Sequence, residues 1–183
     1  MNYKEIIKET QGSLAKLSQQ LNDIEIEIAD TFEINSSNFN DVLNSHKKNI
    51  FKFPLIYTIE ITDSSILRDF VEKYQNRPQG LKTSKFNYRD KEVPVQNTLY
   101  VGSTMKNFYG RLKQHLGLTG KSVYSMHLLR WDKQMTYTVK VKVYEIKNIK
   151  DHEVIITQNI VEAIEQQIWD KLQPIFGKKS GQL

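Results

Sequence analysis

The chain contains no cysteine. That excludes disulfides, thiolate zinc sites and a cysteine nucleophile, leaves oxygen and imidazole as the only side-chain donors for a metal, and fits a reducing compartment. Proline is scarce, with 4 residues in 183, and glycine is modest at 8. With 39% hydrophobic and 26% charged residues, this is the composition of one folded domain with room for an appendage, not of a disordered chain. No apolar run approaches the ~20 residues of a bilayer-spanning helix, and the start, Met1-Asn-Tyr-Lys-Glu, lacks the apolar stretch of a secretory leader. The expectation is a cytoplasmic protein without membrane contact.

Acidic charge is short in the later part of the chain. Residues 1–50 hold 5 basic and 8 acidic residues, a net of −3, whereas residues 51–183 carry a net of +8 within a total of +5. A positive field of this kind suits a polyanion, with nucleic acid the leading candidate, although a merely basic surface would look the same.

Ile7, Leu14, Leu17, Leu21, Ile24 and Ile28 follow alternating steps of three and four, broken at Thr10. The spacing predicts an amphipathic N-terminal helix that either pairs two chains or docks on its own domain. The alternation Ile24-Glu25-Ile26-Glu27-Ile28 also permits a strand. Residues 29–50, rich in Asn and Ser, read as a linker with at most a short helix at Phe39–Leu43, so the chain divides into an arm at 1–50 and a main domain at 51–183.

Within that domain, Pro54–Ile61 predicts a strand, Ser64–Tyr74 a helix capped by Asp63, Thr98–Gly102 a second strand and Asn107–Leu116 a short helix. Ser122–Trp131 reads as another helix. Tyr137, Val139, Val141 and Val143 alternate with polar residues as a third strand, and the four-residue repeat of Ile156, Ile160, Ile164, Ile168 and Leu172 marks a final helix.

Glu165 interrupts the apolar row Val161–Glu165–Trp169 on that last helix. Its tip either reaches solvent or a basic partner, as most such glutamates do, or serves a site. Further features align with it: Leu55-Ile56-Tyr57 on one strand, Tyr100-Val101-Gly102 on the next, then Arg111 and His115 one turn apart on a helix, and Glu165 nine residues before Pro174. Together these resemble the GIY-YIG nucleases over roughly residues 53–178. The resemblance implies an α+β fold with a small three-stranded sheet flanked by helices. It departs from the family pattern in three places: Leu55 replaces the first glycine, Gly177 followed by Lys178 stands where many members have an asparagine, and 42 residues separate the two tyrosines. An insertion at 63–97 accounts for the last.

By that resemblance the chain is a metal-dependent DNA endonuclease. Phosphodiester hydrolysis needs an activated water, neutralisation of a pentacovalent phosphate and help for the departing oxygen. Glu165 is expected to hold one Mg2+ or Mn2+, Arg111 to grip the phosphate, and Tyr57 to act as general base or water-positioning group, with Tyr100 bonded to it and His115 assisting proton transfer. Without the resemblance, both tyrosines would pass for strand core and His115 for a helix-terminal residue; Tyr124, His127 and Tyr109 read as packing residues. The segment 68–91 carries seven basic and three acidic residues with Tyr74, Phe86 and Tyr88 interleaved, which suits phosphate contacts and base reading as well as a solvated loop. Lys82, Lys85, Arg89, Lys91 and Lys178 are the expected DNA contacts. A restriction or defence enzyme, homodimeric through the N-terminal helix, is the expected role. A catalytically silent nucleic-acid-binding protein and a structure-specific repair nuclease are the rivals.

Overall fold

A computed structural model describes residues 2–35, 37–47, 51–88, 94–132, 135–149 and 156–179. The elements run α1 (Tyr3–Leu21), β1 (Ile24–Asn35), α2 (Phe39–His46), β2 (Leu55–Ile61), α3 (Leu67–Gln75), β3 (Thr98–Thr104), α4 (Phe108–Leu116), β4 (Thr138–Asn148) and α5 (Gln158–Leu172), with short 3-10 turns at Ser64–Ile66 and Leu128–Arg130. The four strands form one antiparallel sheet in the order β1-β4-β2-β3.

The expected three-stranded sheet is therefore corrected to four strands. The Ile-Glu alternation continues past Ile28, through a register shift between Ile28 and Asp30, to pair Ile34 with Val139 on β4. Residues 29–35 are strand, not linker, because the phase change lets Phe32 and Ile34 pack on the core while Glu33 reaches Lys140 at 3.6 Å; the short helix expected at Phe39–Leu43 forms and runs on to His46. The helix expected at Ser122–Trp131 is also corrected. Backbone groups that a helix would need are used sideways: the Ser84 N–H donates to Ser125 O at 2.9 Å and the Ser125 N–H to Lys82 O at 3.3 Å. His127 then takes a left-handed conformation at φ 53°, which a helix interior does not accommodate.

The sheet separates two apolar clusters. Leu55, Tyr57, Ile59 and Ile61 of β2 face the larger one, with Val139, Val141 and Val143 of β4, α3, α4, Met126, Leu128, Trp131 and Tyr137. Ile56 faces the smaller one under α5, with Val161, Ile164 and Ile168. Buried on both faces, β2 reads as the unbroken apolar run that a central strand requires. Beyond α5 the chain turns at Gln173 and runs along the outer edge of β3, the Ile175 N–H donating to Thr98 O at 2.9 Å and the Phe176 N–H to Leu99 O at 2.8 Å. By contrast, α1 buries no residue, and Ile6, Ile7 and Leu14 stay exposed. Its apolar stripe does not dock on its own domain. No helix among the described residues is long and apolar enough to cross a membrane.

Candidate active site

Three neighbouring elements bring four of the five sequence-predicted residues together. Tyr57 lies mid-strand on β2 opposite Gly102 of β3, and Tyr100 lies on the same strand as that glycine. A Cβ at Gly102 would stand 2.6 Å from Tyr100 Cε1 and 2.8 Å from the Tyr57 hydroxyl, so the two rings close over this position only because it lacks a side chain. The tyrosine rings lie nearly parallel, centroids 6.1 Å apart. Helix α4 is capped by Asn107, whose side chain accepts from the Gly110 N–H at 2.8 Å, and stops at Gly117 with φ 87°. This length puts Arg111 and His115 on successive turns of one face.

His115 is fully buried. Its Nε2 lies 3.0 Å from the Tyr57 hydroxyl and its Nδ1 3.1 Å from Ser125 Oγ; the Tyr100 ring packs on it with centroids 4.2 Å apart. Burial, then the Arg111 charge, hold His115 well below the usual imidazole range. It is neutral, one nitrogen donating and the other accepting. Tyr57 is likewise closed to solvent. Burial raises its phenol strongly and nearby Tyr100 adds to that, while Arg111 opposes both as a charge and a hydrogen-bond donor. Burial also raises the Tyr100 phenol, with the same guanidinium opposing the rise; that guanidinium donates to Gln114 Oε1 at 2.6 Å.

Glu165 approaches from the opposite face of the sheet, on α5. Ser103 Oγ, one residue beyond Gly102, donates to its Oε2 at 2.5 Å. Burial raises its carboxyl, with Ser103 lowering it, Glu162 raising it further and Arg111 lowering it. Among the described residues no cluster of three or more His, Asp or Glu side chains could hold a metal ion. A single oriented carboxylate beside a hydroxyl fits a hard divalent ion that keeps most of its waters, as Mg2+ does.

Beside these groups opens a cavity of about 440 Å3 walled by Tyr100, Arg111, Lys85, Gly177 and Lys178, among others. Gly177 has φ 112°, and a Cβ there would come within 3.3 Å of the Tyr100 ring. A side chain at this position would be strained by the positive φ and would need the Tyr100 ring to give slightly, which favours glycine here; Lys178 next to it lines the cavity. Leu55, in the place of the first glycine, is wholly buried core. Lys82 lies by the Tyr124 ring, its Nζ 5.9 Å from the centroid, while Arg89 and Lys91 fall outside the described residues.

The base-reading expectation for Tyr74, Phe86 and Tyr88 does not hold. Tyr74 is buried, with its ring 4.6 Å from that of Phe176, and Phe86 and Tyr88 pack on the same core. Tyr124, expected to pack, is instead 68% exposed and lines the cavity. Sequence reasoning missed Ser103, Ser125 and Gln114. Of these only Ser103 had a signal, its place next to the strand glycine.

Comparison with protein families gives a match to the GIY-YIG catalytic domain over residues 88–179. The match takes in Tyr100, Arg111, His115 and Glu165 and begins after Tyr57. No curated protein and no solved structure gives a significant match.

Proposed function

The chain belongs to the GIY-YIG family, whose domain is a nuclease domain, and from that premise we propose that it is a metal-dependent DNA endonuclease. The observation that carries the reading is the cluster of Tyr57, Tyr100 and His115 packed around Gly102 beside Arg111, with Tyr100 and Arg111 at the wall of a cavity that also presents Lys85 and Lys178 and Glu165 held by Ser103 across β3.

In this reading Arg111 grips the scissile phosphate through its guanidinium fork and stabilises the charge that builds as water attacks phosphorus and the P–O3′ bond breaks. Tyr57 is the water-activating group: its oxygen accepts a hydrogen bond from the attacking water while its own O–H donates to Nε2 of neutral His115, whose Nδ1–H is held by Ser125 Oγ. The absent side chain of Gly102 lets the Tyr57 hydroxyl and the Tyr100 ring close over this position, and Tyr100, on the cavity wall, is the ring that must shift to admit the water. Glu165, oriented by Ser103, would hold one Mg2+ or Mn2+. When bound, the ion supplies positive charge to the phosphate and to the leaving oxygen.

Restriction or defence is the role proposed, with two chains paired through the exposed stripe of α1, since one site per chain must be duplicated to cut both strands of a symmetric duplex. Nicking of supercoiled plasmid, measured with Mg2+, with Mn2+ and in chelator, tests the activity. Nicking that requires the ion is expected; tight DNA binding with no cleavage under any ion would leave a catalytically silent DNA-binding protein. Sequenced ends from a limit digest separate a restriction enzyme, which yields one motif, from a repair nuclease, which cuts at branches.

A further inference from the structure

Tyr124 has no role in the chemistry just described, and the fold leaves it in an unusual position. Its ring is 68% exposed, the largest exposure of any aromatic residue on the described main domain. It lines the same cavity as Tyr100, Arg111, Lys85 and Lys178. The segment that carries it is held firmly: Ser125 bridges to Thr83 in parallel, bonds both Lys82 and Ser84 through its backbone and meets His115 through its hydroxyl. The ring is thus presented to solvent from a braced backbone, with Lys82 Nζ 5.9 Å from its centroid. Ordinary packing does not explain an apolar face displayed in this way among cations. Nucleic acid brings two complementary features to such a surface: phosphates for the cations and flat π-faces for the ring.

We propose that Tyr124 is a stacking platform for one DNA base that has left the helical stack beside the scissile phosphate. The proposal rests on the nuclease reading and gives it a substrate feature: the site takes a nucleotide that is unpaired, flipped or at a branch, with its phosphate on Lys85, Lys178 and Arg111 and its base on Tyr124. In a regular duplex the π-faces are covered by neighbouring base pairs, so the platform can be used only where stacking is broken. A cavity of about 440 Å3 lies within the range of pockets that enclose small planar ligands.

The test uses the full chain in chelator, so that binding is read without cleavage, and two DNA probes that differ only in whether a single 2-aminopurine is paired or unpaired. The wild-type chain should bind the unpaired probe more tightly and quench its fluorescence. Tyr124→Ala should weaken that binding by ~5- to 150-fold, the range for loss of one base–aromatic stack, and relieve the quenching. Tyr124→Phe, which keeps the ring, should restore both. Neither variant should change the slope of log affinity against log salt, because no cation is removed, whereas Lys82→Ala should lower it. Equal affinity and equal fluorescence for wild type and Tyr124→Ala, with tight DNA binding intact, would overturn the base site and leave the nuclease reading standing. Failure of the wild-type chain to bind either probe would overturn both.

Discussion

Tyr57 and Tyr100 share a chemistry and differ in surroundings. Tyr57, on the central strand β2, is fully buried and hydrogen-bonded to His115. Tyr100, on the edge strand β3, forms part of the cavity wall beneath Gly177. A central strand supplies a dry, pre-set group whose partner is fixed before substrate arrives, and an edge strand supplies one that substrate can reach. The site needs both, and Gly102 is where they meet.

The largest expected effect comes from removing one hydroxyl at a time. Tyr57→Phe should lower single-turnover cleavage by ~10²- to 10⁴-fold. It should also destabilise the fold by about 1–3 kcal/mol in urea melts, because His115 Nε2 loses its buried partner. Tyr100→Phe should cost less stability, because Tyr100 is part of the cavity wall and not wholly buried as Tyr57 is. If Tyr100→Phe were the more damaging to cleavage, the water-activating group would be Tyr100 and the comparison would reverse. Gly102→Ala comes next, forcing the two rings apart at an expected loss of about 1–3 kcal/mol; a variant as stable as wild type would show that the rings can yield.

His115 adds a pH signature. Its folded pKa is depressed by burial, so its contribution to stability is fully present above the unfolded value near ~6.5 and is lost as pH falls toward the folded one, at up to about 1.4 kcal/mol per pH unit. Urea melts between pH 7 and pH 5, taken as approximate bounds around that value, should show this slope and His115→Gln should flatten it. A wild-type slope unchanged by the substitution would mean that other groups set it. The mildest effect belongs to the exposed rim. Lys85→Ala combined with Lys178→Ala should reduce the log–log salt slope of DNA binding by about 0.9 per lysine. An unchanged slope would move the phosphate track elsewhere.

Much of this was legible in sequence, for identifiable reasons. The alternation around Val139, Val141 and Val143 and the four-residue repeat from Ile156 to Leu172 are periodicities that solvent imposes on one-sided elements, and both elements form. The spacing of Arg111 and His115 fixed their common helix face. Long-range pairing left weaker traces. Strand β1 has Asn and Ser after it and a phase change within it, so its pairing with β4 could not be read locally. Residues 122–127 look helical in spacing, yet the backbone bonds of Ser125 in their middle run to Lys82 and Ser84, a contact between distant segments. The same contact explains why Tyr124 and Tyr74 exchanged their expected places: one is pushed outward by the bridge, while the other lies under it, its hydroxyl donating to Ser84 O at 2.8 Å. The departure at Gly177 became intelligible only once Tyr100 was seen beneath it.

The central claim is that Glu165 serves chemistry and not packing, and Glu165→Gln tests it most directly by keeping the shape and an oxygen for the Ser103 hydrogen bond while deleting the charge. Cleavage and binding are measured on the same DNA, with Glu162→Gln, one turn earlier on α5, as control. Glu165→Gln should cut with Mg2+ about 10³-fold more slowly and bind DNA as tightly as wild type or more tightly, with Glu162→Gln close to wild type in both. Cleavage by Glu165→Gln at the wild-type rate would make Glu165 a structural residue.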